Sequence, residues 1–164
     1  MIQIREMQAE DALAVSNLYA DSWKRTYGGS FEPPDLKTEI AKRFSVEKQM
    51  REALDPHIIT LVAVENEKIV GASLSEMDTR NQAWIDRMHL LPEYHGTGLA
   101  DDLMRATLVK HSGLQSIALK VIKGNDRAIA FYEKHGFAIT DEIASDEQVG
   151  GAASVVMSRT IPRG

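Results

Sequence analysis

Residues 83–122 hold a strand, a glycine-bearing turn, a helix and a second strand in unbroken succession. The first strand is AWIDRMHLL, the turn PEYHGTG, the helix about Gly98 to Lys110, and the second strand SIALKVI. A chain that leaves a sheet through a helix and returns beside the strand it left makes a parallel pair by a right-handed crossover. This unit constrains the fold more than any other stretch, because it places one parallel pair in an otherwise hairpin-rich chain.

The surrounding patterns are simpler. MIQIR reads as a short first strand, and Val15, Leu18, Ser22 and Trp23 follow helical spacing until YGGSFEPP interrupts them. DLKTEIAKRFSVEKQMREAL reads as one helix or two short ones. IITLVAVENEKIVGASLSEM is a hairpin of two β-branched runs joined at Glu65-Asn66-Glu67. NDRAIAFYEKH is a helix stopped by Gly136, and FAITDEI and AASVVMSRTI are strands flanking SDEQVGG. The expected class is an α/β (α+β) domain with a mixed, mostly antiparallel sheet and one clear crossover. One domain over residues 1–164 is expected, since 43% hydrophobic residues suffice for one well-buried core.

Composition excludes some chemistry. Lys plus Arg number 19 against 24 Asp plus Glu, a net charge of −5, which gives no basic footprint for nucleic acid. The chain has no cysteine, and so no disulfide, no zinc–thiolate site and no cysteine nucleophile. No apolar run approaches the roughly 20 residues that span a bilayer, so a cytoplasmic protein is expected, with neither membrane nor metal.

Gly96 and Gly98 stand just before a helix, whose first N–H groups lack carbonyl acceptors and attract anions. A P-loop needs Gly-Lys-Ser/Thr, which is absent; a dinucleotide fingerprint needs a third glycine where Asp101 stands. A phosphate cradle of another kind and an ordinary strand-to-helix turn both remain. On a wheel of about 100° per residue, Leu99, Ala100, Leu103, Met104, Ala106 and Leu108 share one arc. Asp101 and Asp102 lie opposite, in reach of Arg105 at i+4 and i+3. Asn125 and Tyr132 are two helical turns apart with the small Ala128 between them, which suits a long, thin ligand carrying amide groups as well as it suits core packing.

Together these segments resemble the GNAT superfamily of acetyl-CoA-dependent N-acetyltransferases. The family's Arg/Gln-x-x-Gly-x-Gly/Ala motif appears as His95-Gly96-Thr97-Gly98-Leu99-Ala100, and its Asn-x-x-Ala-x-x-x-Tyr segment as Asn125, Ala128 and Tyr132, followed by Gly136 and Phe137. The matching region runs from about residue 82 to 140, and His95 departs from the usual Arg or Gln. The resemblance implies a six- to seven-stranded sheet flanked by about four helices, splayed after the fourth strand to admit pantetheine. It implies acetyl-CoA as co-substrate, held by residues 95–100, Asn125, Ala128, Tyr132 and backbone N–H groups of Met88 and Leu90. An amine then attacks the thioester directly, and the absence of cysteine independently excludes an acetyl-cysteine intermediate.

By the same resemblance Tyr132 is the general acid. Asp86, on the strand face expected to carry Met88 and Leu90, is the candidate base, ahead of Glu76, His89 or a water relay. Trp23 and Tyr27, at i and i+4, resemble an acceptor-lining segment, with Glu32 and Asp35 near a cationic acceptor. The implied partner is a small-molecule or peptide amine, and homodimers are common in the family. Acylation of a protein N-terminus or lysine, or CoA binding without transfer, are the rival functions.

Overall fold

The computed structural model describes residues 1–147 and 151–161; part of the turn read at SDEQVGG lies outside them. The order is β1 (Gln3–Glu6), α1 (Ala12–Tyr27), α2 (Pro33–Phe44), α3 (Val46–Leu54), β2 (Ile58–Glu65), β3 (Lys68–Met77), β4 (Ala83–Leu90), α4 (Leu99–Lys110), β5 (Ser116–Ile122), α5 (Asp126–Lys134), β6 (Ala138–Asp146) and β7 (Ala152–Thr160). The segment open to one helix or two is two. Ser45 leaves helical backbone (ψ 149°) and its hydroxyl accepts the Lys48 N–H, so it ends α2 and caps α3. Five α-helices result among the described residues.

The seven strands form one sheet in the order β1-β2-β3-β4-β5-β7-β6. Strands β4 and β5 are parallel, as the crossover requires, and the other pairs are antiparallel. A second crossover, through α5, also joins parallel strands, but β7 inserts between β5 and β6 and pairs with both. The β2–β3 hairpin closes through Asn66 and Glu67, both at positive φ (50° and 65°), a backbone whose twist matches that of the strands.

Adjacent residues of β2 point into different cores. Val62 joins Val15, Leu18, Tyr19, Trp23 and Phe44 beneath α1 and α2, whereas Ala63 joins Leu90 and Leu99 beneath α4. Helices α1–α3 thus cover one face and α4 and α5 the other, with Ile129, Phe131 and Tyr132 of α5 packed on the cluster around Met104 and Ile117. Two buried hydrogen bonds, Ser73–Thr107 (3.1 Å) and Ser75–His111 (2.7 Å), pin α4 to β3. Burial lowers the His111 pKa, which favours the neutral ring that this apolar layer can hold.

Candidate active site

The parallel pairing of β4 and β5 runs only from Ala83–Ile117 to Ile85–Leu119, although β4 continues to Leu90. Beyond Ile85 the two strands part. The Leu91 N–H donates to Val70 O of β3. Backbone groups alternate edges along a strand, so the N–H groups of Leu90 and Met88 point the other way, into the gap. This is the expected splay, with the two expected backbone donors lining it.

At Asp86 the register slips: Ile85 opposes Ser75 and Arg87 opposes Leu74, leaving Asp86 as an extra residue. Such a bulge shifts the alternation of side chains by one. Met88 therefore shares the face of Ala83 and Ile85 and packs on their cluster. The expectation that Asp86 shares a face with Met88 and Leu90 is thereby corrected. Asp86 lies instead beside Glu76, on the side of α1–α3. Asp86 has substantial exposed surface, yet its carboxyl end is crowded by the cleft walls. That crowding and the Glu76 carboxylate within hydrogen-bonding reach push it up to about 7.

The glycine loop has its own local cause. Gly96 and Gly98 hold φ of +77° and +92°, in the left-handed region, and a Cβ at either would meet nothing within 4 Å. Backbone conformation therefore requires the glycines, and the space beyond them is open. Gly98 is the cap of α4, and Asp102 is the first residue to donate back along the helix, to Gly98 O. The N–H groups of Ala100 and Asp101 have no backbone acceptor among the described residues and face outward from the helix start. Gly98→Ala is expected to lower the unfolding free energy by about 1–2 kcal/mol, the usual penalty of left-handed backbone for a residue with Cβ, read by chemical denaturation.

The open groove above this loop is lined by Leu90, His95, Gly96, Ala100, Asn125, Ala128 and Tyr132, all expected there, and by Thr26, Arg127 and Phe131, which were not. Arg127 is the second residue of α5, close to Asn125, and its basic side chain within that motif is the signal that marks it in the sequence. Of the remaining loop residues, Thr97 turns its hydroxyl back to Tyr94 O (2.6 Å), and Leu99 is buried in the core, leaving only its backbone for a ligand. Asn125 caps α5 by accepting the Ala128 N–H (3.3 Å), so its amide NH₂ is the group left to meet a ligand. Asp102 pairs with Arg105 (3.6 Å) as expected, but Asp101 does not. It bridges to Lys134 (2.9 Å) and His135 (2.7 Å), fastening the start of α4 to the end of α5.

A second cleft opens on the α1–α3 side, lined by Trp23, Tyr27, Asp86, Met88, His89 and Tyr132 together with several cationic side chains. Met88 and Tyr132 line both this cleft and the groove of the glycine loop. Burial, and then Tyr27, push the Tyr132 phenol up to about 12. Trp23 is only 5% exposed and packs at a tilt against Tyr27 (4.8 Å) and Phe31 (5.2 Å), while the Arg43 guanidinium covers its ring at 5.0 Å. Its ring face is thus already occupied by a cation, and it serves the cleft as wall and core together. Glu32 and Asp35 stand exposed at the start of α2 and line neither cavity. His89 is bonded to Ser22 (2.6 Å), and burial brings its pKa to about 4, so the ring is neutral.

Two cavities on opposite sides of a splayed sheet, meeting at one strand and one phenol, with a helix N-terminus beside one of them, define a site where two substrates can meet. The sequence profile of the acetyltransferase (GNAT) family matches residues 14–137, and the chain belongs to that family. It is an N-acetyltransferase. Spermidine N(1)-acetyltransferase of Thermoplasma acidophilum is 27% identical over 151 residues, covering 88% of this chain and 93% of that one. N-alpha-acetyltransferase 30 of Schizosaccharomyces pombe is 33% identical over 84 residues, 48% of this chain and 56% of its own. The crystal structure of PaiA N-acetyltransferase from Thermoplasma acidophilum in complex with coenzyme A superposes with a TM-score of 0.82 at 25% identity, covering 98% of this chain and 99% of the other. Among the described residues no helix is long and apolar enough to cross a membrane.

Proposed function

We propose that the protein transfers the acetyl group of acetyl-CoA to a primary amine by direct attack within a ternary complex. The observation that carries this reading is the meeting of the two cavities at Met88 and Tyr132 alone. A ligand in the groove and a ligand in the cleft have one place to react.

The groove residues fit coenzyme A. The N–H groups of Gly96, Gly98, Ala100 and Asp101, without acceptors among the described residues, suit its pyrophosphate, the Asn125 amide and the Ala128 gap suit the pantetheine arm, and the Leu90 N–H suits one of its amides. Acetyl-CoA supplies the activated thioester. The Met88 N–H, fixed in the splay, polarises the acetyl carbonyl, a preorganised donor that needs no rearrangement during reaction. Asp86 takes a proton from the attacking amine as the N–C bond forms, and the Tyr132 phenol gives a proton to sulfur as the C–S bond breaks. A base with a pKa near the working pH and a protonated phenol are what acid–base catalysis here demands, and a pure CoA-binding module needs neither.

The test is a thiol-release assay with acetyl-CoA against polyamines, free amino acids and basic or neutral peptides. Saturable, acceptor-dependent thiol release is the expected result; acetyl-CoA binding without release across the whole panel would remove the transferase reading. In the same assay His95→Ala is expected to raise the acetyl-CoA KM only about two- to fivefold, because the exposed imidazole adds one hydrogen bond to a site built from backbone N–H groups. Complete loss of binding would show that the side chain, and not the backbone, holds the phosphates.

A further inference from the structure

The chain carries a net charge of −5, yet the cleft beside Asp86 is lined by four cations, Arg43, Lys48, Arg87 and Lys120. Three have visible structural work. Arg87 meets Glu52 and Gln49, each at 3.3 Å, and lies over the rings of Tyr19 (5.1 Å) and Phe44 (5.2 Å). Arg43 pairs with Glu39 at 3.0 Å and covers Trp23, and Lys120 bonds Asp146 at 3.2 Å.

Lys48 is different. It stands near the start of α3, half-buried, and its ammonium has neither carboxylate nor other acceptor in bonding distance among the described residues. Its pKa is lowered, by burial first and then by Arg87. An ammonium held half out of water beside other cations costs free energy unless an anion joins it. Asp86 lines the same cleft, and Glu76, in the adjoining cavity, sets a second carboxyl group beside it. The cleft lined by Met88 and Tyr132 thus holds two poles, a carboxyl group at Asp86 and an unpaired cation at Lys48. A polycation would satisfy the first and be repelled at the second.

We propose, resting on the acetyl-transfer reading, that the acceptor is an amine that also bears a carboxylate, with its amino group at Asp86 and its carboxylate at Lys48. An amino acid answers both poles at once, and a charge-assisted hydrogen bond from Lys48 fixes the amine toward the junction of the two cavities.

The experiment compares kcat/KM for matched amines with and without the carboxylate: lysine with cadaverine, and phenylalanine with phenethylamine, with spermidine as the polycation. The acid-bearing member is expected to be favoured by about tenfold or more, and Lys48→Met to bring that ratio close to one, chiefly through KM. Preference for the decarboxylated amines or for spermidine in the unsubstituted enzyme, or an unchanged ratio in K48M, overturns the proposal. Free glutamate set against a Glu-initiated peptide amide tells whether the carboxylate belongs to an amino acid or to a peptide side chain. A calorimetric titration of N-acetyl amino acids into the CoA complex reads the carboxylate site without turnover. Binding that K48M weakens about tenfold upholds the site even if no amine is acetylated, which would remove only the transfer reading. No binding by the unsubstituted complex overturns the site even if other amines react.

Discussion

Asp86→Asn is expected to lower kcat/KM by about two to three decades at neutral pH and to abolish the rise of activity through pH about 7. The sign follows from the environment. Crowding by the cleft walls and the neighbouring Glu76 carboxylate both disfavour the anion, so Asp86 is protonated below about pH 7 and cannot accept a proton from the amine. Activity therefore climbs as pH rises through that value. Glu76→Gln removes the nearby negative charge while keeping the shape. Ionised Asp86 is then easier to form, and the limb should move to lower pH with the plateau largely kept. Glu76 acts directly on Asp86, so the comparison of both variants is needed to assign the profile. A limb near pH 7 that survives in D86N would place the base elsewhere; His89, neutral and bonded to Ser22, would be examined next.

Tyr132→Phe should lower kcat by about one to three decades and leave the acetyl-CoA Kd within a few-fold of its starting value. The ring packs against Phe131 (5.3 Å) and Phe137 (5.8 Å), contacts that Phe retains, so the substitution removes the proton and little else. With a pKa of about 12 the phenol is protonated throughout the working range and adds no limb of its own below pH 9. A phenol of that pKa is a weak donor toward a thiolate whose thiol has a pKa near 8.5 in water. The burial that raises the phenol also disfavours the departing thiolate, which narrows the gap, and this keeps the expected effect to decades rather than more. Stopped-flow measurement of kcat beside calorimetric Kd separates the outcomes. An unchanged kcat would remove Tyr132 from the acid role, whereas a parallel loss of binding would mean that its hydroxyl mainly positions the cofactor.

The parts of the site that were legible beforehand are local. Gly96 and Gly98 are where the backbone must turn left-handed before α4, and the Asn125–Ala128–Tyr132 spacing is a property of one helix. Each is decided by residues within two turns of each other, so the order of residues already contains it. The succession of elements and the one parallel crossover were legible for a similar reason, whereas the insertion of β7 between β5 and β6 was not.

What depended on distant neighbours was not legible. Alternation alone put Asp86 with Met88, but a bulge set by pairing with β3, itself some ten residues earlier, turned it toward Glu76. Asp101 looked settled by Arg105 on its own helix, and α5 claimed it instead through Lys134 and His135. Trp23 resembled an acceptor-lining residue, and Arg43 of the next helix covers its ring. The overall negative charge gave no sign that folding would gather Arg43, Lys48, Arg87 and Lys120 from α2, α3, β4 and β5 around one cleft. The sequence by itself determined the glycine turn, the helix that carries Asn125 and Tyr132, and the elements of the sheet, because short-range backbone and spacing rules suffice for them. Which charges face the reacting atoms was decided only by the tertiary structure, because electrostatics and pKa depend on distances in space that no spacing along the chain encodes.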